Sequence, residues 1–179
     1  RISRRPSATV IACALHAAPK TNPFSTSWTL DIEFNDPQRI TVDGTTYWYV
    51  LYQVTNRSER DVQFFPSARL VTDTLEVVKA GENVGPLVYD AIAARHKRQY
   101  PFFAPPTKIT GPLLQGVENS RASAMVFTTF DANAAGFTIY ASGFSGEVAN
   151  LPNPAFDPKQ PESDGNPRSF LLQRTLSIT

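Results

Sequence analysis

Apolar positions in this chain alternate with polar ones far more often than they recur at helical spacing. Trp28, Leu30, Ile32 and Phe34 fall on one face of an extended segment, with Thr29, Asp31 and Glu33 on the other. Successive side chains of a strand point to opposite faces, so this is the pattern of a half-buried strand. Asn35-Asp36-Pro37 ends it. Residues 39–43 and 45–56 then flank Asp43-Gly44. Asp-Gly between two β-rich runs predicts a hairpin, because both central residues of a type I′ turn need positive φ. The second run, TTYWYVLYQVTN, sets Tyr47, Tyr49, Leu51 and Gln53 against Trp48, Val50, Tyr52 and Val54. Apolar residues on both faces predict a central strand, covered on one side by a sheet-on-sheet core and on the other by a different element.

Further strands are expected at residues 62–65 and 68–72, with Pro66 interrupting them, and at 75–79. One helix is expected at residues 86–99. Pro86 suits its first turn, Val88, Ala91, Ile92 and Arg95 form a stripe, and Arg95, His96, Lys97 and Arg98 load its end with cations. Residues 101–112 read as a proline-rich loop carrying Phe102 and Phe103. Strands resume at 113–114, 123–130 and 137–141, residues 143–160 read as loop, and 162–167 as a turn. Phe170, Leu172, Leu176 and Ile178 alternate as a terminal strand. Eight or nine short strands, one inserted helix and turn signals every ~8–12 residues predict a mostly β, antiparallel sandwich.

Residues 47–74 contain Val54-Thr55-Asn56, a polar turn, and then Leu70-Val71-Thr72-Asp73. Leu113-Leu114-Gln115-Gly116 and Ala124-Met125-Val126-Phe127 follow later. Together these resemble the telokin-like immunoglobulin-like domains of exported bacterial proteins, over about half of the chain. The helix at 86–99 departs from that pattern. The resemblance implies an immunoglobulin-like antiparallel β-sandwich and a location outside the cytoplasm: periplasm, cell surface or secreted. It brings no catalytic residues to transfer.

The chain has 179 residues, 41% hydrophobic and 18% charged, which suits one folded domain and argues against disorder. A net charge of +1 gives no general case for nucleic acid as a partner. The charge is unevenly placed, however. Residues 1–26 carry Arg1, Arg4, Arg5 and Lys20 and no acid, which leaves 13 basic and 16 acidic residues in 27–179. The expected organisation is therefore a basic, apolar leader or arm (1–26) before a mildly acidic sandwich (27–179). The leader has features of a secretory signal, and Val10-Ile11-Ala12-Cys13 resembles a weak lipoprotein box. As a retained arm it alternates Ile11, Cys13, Leu15 and Ala17 with Val10, Ala12, Ala14 and His16, the pattern of an added strand. A short helix after Ser7 is equally compatible. Val10, Ile11, Cys13 and Leu15 are then the assembly candidates, since apolar side chains of a retained arm must find cover. Cys13 is the single cysteine, so an intrachain disulfide is excluded. It reads as a buried hydrophobe, an intermolecular disulfide partner or a lipid attachment site. No apolar run approaches the ~18–20 residues of a membrane span.

Chemistry-bearing patterns are sparse. His96 sits among cations with no carboxylate to orient it, and His16 lies in the leader. Gly143-Phe144-Ser145-Gly146 lacks the nucleophile-elbow spacing. Asp157, Glu162, Asp164 and Asn166 share a loop, but their spacing fits a solvated turn better than a calcium site, and no metal site is expected. No phosphate loop, dinucleotide fingerprint or zinc spacing occurs, and no cofactor is expected. Trp48, Tyr49 and Tyr52, with Phe102 and Phe103, are the candidate ligand-binding aromatics. The expectation is a non-catalytic exported structural or interaction domain, a subunit or accessory of a larger assembly. Its partners are other protein subunits, with self-assembly through the arm as one route. The alternative is a carbohydrate- or peptide-binding module using exposed aromatics.

Overall fold

The computed structural model describes residues 28–178, so Val10, Ile11, Cys13 and Leu15 lie outside the described part. The fold is mostly β, built from antiparallel sheets with two short helices. Its centre is β3 (Thr45–Thr55), which follows β1 (Asp31–Phe34) and β2 (Gln38–Val42). β1 pairs with the end of β3 and β2 with its start, both antiparallel. They lie end to end along one side of β3, because residues 35–37 step across only Val50 and Leu51. The Asp43-Gly44 hairpin forms as expected, with φ of 50° and 78° at its two central residues.

The other side of β3 pairs with β8 (Arg121–Phe127) over seven residues. Between them in sequence come β4 (Val62–Phe64), β5 (Ser67–Thr72), β6 (Val77–Lys79) and β7 (Gly111–Leu113). β4 pairs with β7. β5 and β6 join β9 (Phe137–Ser142) and β12 (Leu176–Ile178) in a second four-stranded sheet, in the order β12-β9-β5-β6.

The alternation along β3 reappears as two apolar clusters. Val50, Tyr52 and Val54 join Met125 and Phe127 of β8, Leu70 of β5 and Ile139 of β9 in one. Tyr49 and Leu51 join Ile40, Val126 and, from the helix α1 (Pro86–His96), Val88 and Ile92 in the other. The element covering the second face of β3 is thus α1. Pro86 stands in its first turn, where no N–H is needed, and Arg95 and His96 in its last. It stops three residues before the expected end, and Gln99 and Tyr100 donate their N–H groups back to the His96 carbonyl.

Four expectations need correction. A second helix, α2 (Pro106–Ile109), lies in the proline-rich loop. It starts on Pro106 after an extended Pro105, a combination that composition alone reads as irregular. The loop at 143–160 contains β10 (Val148–Pro152), and the terminal strand is two strands, β11 (Ser169–Gln173) and β12. Among the described residues β11 pairs only with β10, whereas β12 pairs with β9. Their chain break falls at Arg174, whose N–H meets the Glu147 carbonyl and whose guanidinium pairs with the Glu147 carboxylate at 2.8 Å. The described residues hold twelve strands rather than eight or nine.

Candidate binding recess

The outer edge of β8 is where the fold leaves space. Ala122 O accepts from Ala104 N, and Val126 O accepts from Gly81 N at 2.7 Å. Both carbonyls therefore point away from β3. Residues two apart along a strand share an orientation, so the N–H and C=O of Ala124 point the same way. No described residue hydrogen-bonds to them. A recess of about 670 Å³ opens against this edge, between the 80–84 loop, the start of α1 and residues 105–108. That volume is within the range of small-ligand sites. The Gly81 plug depends on its φ of +78°, a backbone conformation natural to glycine.

The walls are largely apolar, with Pro66, Ala80, Val84, Pro105 and Met125 among them. Tyr52, Tyr89, Asp90 and Lys108 add polar groups. Burial pushes the Tyr52 phenol far above its usual range; the neighbouring Ser123 hydroxyl offsets part of this and the Tyr89 phenol adds to it. Burial also raises Tyr89. Both phenols are therefore neutral donors at ordinary pH. Ser123 is Tyr52's register partner on β8; it is fully buried and its hydroxyl completes no hydrogen bond. Buried polar groups almost always find partners, so an unsatisfied hydroxyl beside a recess is a specific observation.

Of the five aromatic candidates, only Tyr52 lines this recess. Tyr49 is fully buried on the opposite face of β3. Its hydroxyl donates to Gln38 Oε1 at 2.9 Å, lies 2.8 Å from His96 Nε2, and accepts from Arg95 Nη1 at 3.3 Å. With the phenol proton directed at Gln38, the hydrogen between Tyr49 and His96 belongs to the imidazole. Trp48 is half-buried, stacked on Phe130, edge-on to Phe137 and beneath the Arg39 guanidinium. Phe103 is half-buried against the helix-side cluster, whereas Phe102 is 88% exposed. The five aromatics therefore do not share a surface.

His96 is not a free helix end. It is packed edge-on to Tyr49, and burial, then the charge of Arg95, lower its pKa. The Ser145 hydroxyl donates to the Trp28 carbonyl and accepts from Glu147 N. The loop holding Asp157, Glu162 and Asp164 is organised around Asn166. That amide accepts from Asp157 N and donates to Asp157 O, while Glu162 pairs with Arg168. Among the described residues, no helix is long and apolar enough to cross a membrane.

Sequence reasoning missed Tyr89, Ser123 and Ala124. The recess draws on several elements with no shared spacing. Comparison with protein-family models, characterised proteins and solved structures gives no match.

Proposed function

We propose that this chain is a non-catalytic, extracytoplasmic interaction domain, an immunoglobulin-like sandwich that serves as a subunit or accessory of a larger assembly. The observation that carries this reading is the recess at the open edge of β8, with an apolar wall and unpaired backbone groups. The apolar cluster shared by the two four-stranded sheets supports the sandwich, and the motifs of residues 47–74 support the telokin-like assignment and the export. The engagement of His96 by Tyr49 supports a scaffold role for that histidine. Val10, Ile11, Cys13 and Leu15 contribute contacts to neighbouring subunits.

The mass of the native assembly tests the reading. Deleting residues 1–18, or placing an arginine in the recess wall with Val84→Arg, should leave the domain folded and reduce the assembly to smaller species. Normal assembly by both variants would overturn it.

A carbohydrate- or peptide-binding role through exposed aromatics has one observation in its favour, the exposed Phe102 ring. Under that reading Phe102→Ser alone abolishes binding across a glycan and peptide array; unchanged binding dismisses it.

A further inference from the structure

We infer that the recess is a receptor for a short, extended, uncharged peptide segment of a partner chain, whose central residue pairs with Ala124. This rests on the interaction-domain reading and specifies what the site takes. Three observations lead to it.

The first is the pairing pattern. Ala124 presents its N–H and C=O side by side at a strand edge, the arrangement that exchanges two hydrogen bonds with one residue of an antiparallel neighbour. Ligands lacking a donor and an acceptor at that spacing engage only half of it.

The second is length. The plugs at Ala122 and Val126 are four residues apart, a span of about 13 Å at ~3.3 Å per residue. About three extended residues fit between them, and a full-length added strand does not.

The third is the lining. The wall beside Ala124 offers prolines, alanines, Val84 and Met125, with neutral phenols at Tyr52 and Tyr89. A charge on the ligand's buried central residue would lose its hydration with only the exposed, solvent-screened Asp90 and Lys108 to offset it. These two side chains are opposite in sign, so the lining carries no net charge. Strand-edge capture draws affinity from main-chain bonds and selectivity from the pockets beside them, which fits this division.

The probe is an acetylated, amidated Ala-Val-Ala tripeptide, titrated into the full chain while backbone amide shifts are recorded. The Ala124 amide should move and saturate with a Kd on the order of 0.1–1 mM, as befits a ligand of this size. Methylating the central nitrogen of the probe should weaken binding about tenfold, because it removes one of the two paired bonds. Replacing the central valine by lysine should weaken it at least as much. Ala124→Pro should abolish binding. The nitrogen it removes points away from β3, and circular dichroism checks the fold. If this variant does not fold, the methylated probe reads the same pairing on the unaltered chain. An unmoved Ala124 amide, equal binding of the methylated probe, or binding seen only after residues 1–18 are removed would each overturn the inference. The last outcome would identify the chain's own arm as the occupant. None of them bears on the assembly masses, so this inference and the functional reading fail separately.

Discussion

Tyr49 and Tyr52 are three residues apart on one strand, almost equally buried, and opposite in circumstance. Tyr49, on the helix side, has Gln38, His96 and Arg95 within hydrogen-bonding reach. Tyr52, on the sheet side, has one hydroxyl neighbour in Ser123, which completes no hydrogen bond, and it borders an open recess. Burial alone does not separate a structural phenol from one held for a partner; the satisfaction of its polar end does. The polar groups around Tyr49 close on one another, whereas the recess beside Tyr52 is lined from both faces, by Val84 and Tyr89 of the helix-side cluster and by Ala80 and Met125 of the sheet-side cluster.

The largest effects should come from cutting the apolar cluster on each side. Phe64→Ala in the sheet-side cluster should cost about 3–5 kcal/mol, and Ile92→Ala in the helix-side cluster about 2–5 kcal/mol. Chemical denaturation followed by fluorescence and circular dichroism should show one cooperative transition in both variants. A separate early transition in Ile92→Ala would mean that α1 detaches on its own and that the helix side is an appendage.

A smaller and sharper test exchanges only oxygen atoms. Tyr49→Phe strands the polar groups around it and should cost about 1–3 kcal/mol, whereas Tyr52→Phe should stay within about 0.5 kcal/mol of the parent. Equal losses in melting experiments would erase the distinction drawn between the two faces.

The smallest effect is in pH. The folded state holds His96 below its usual pKa, chiefly through burial and then through Arg95. As pH falls through about 6.5, the ordinary histidine value, the unfolded chain takes up a proton that the folded chain resists. Stability contributed at this site is therefore complete above that value and is lost as pH falls towards the folded pKa. His96→Gln keeps an amide donor near Tyr49 and removes the titration. The melting temperatures of the two proteins should converge as pH drops from 7 to 5.5; a constant gap would show that His96 does not titrate differently on folding.

The sequence carried most of the central sheet because strand periodicity is local. The two-faced run at 45–56 and the Asp43-Gly44 turn each need only their neighbours to be read. It carried α1 for the same reason, since Val88 and Ile92 lie one turn apart and are both buried. The pair β10 and β11 escaped because Asn150 and Pro152 break the alternation of β10, whose partner comes some twenty residues later. The recess was less legible still. Tyr52, Gly81, Tyr89 and Ala124 have no common spacing, and Ala124 matters through its main chain, where residue type says nothing. Among the aromatics, spacing already put Tyr49 and Tyr52 on opposite faces. Which of the two found His96 and Arg95 as partners depended on where α1 ended.

The two plugs on β8 have a further consequence for behaviour at high concentration. An open sheet edge invites copies of the same protein to stack into aggregates, since any strand of sufficient length can extend the ladder. Gly81 and Ala104 occupy the edge at both ends and leave a single residue's groups uncovered between them. Edge-to-edge growth needs a longer register than that. Opening either plug should therefore turn a selective port into a nucleus for indiscriminate association.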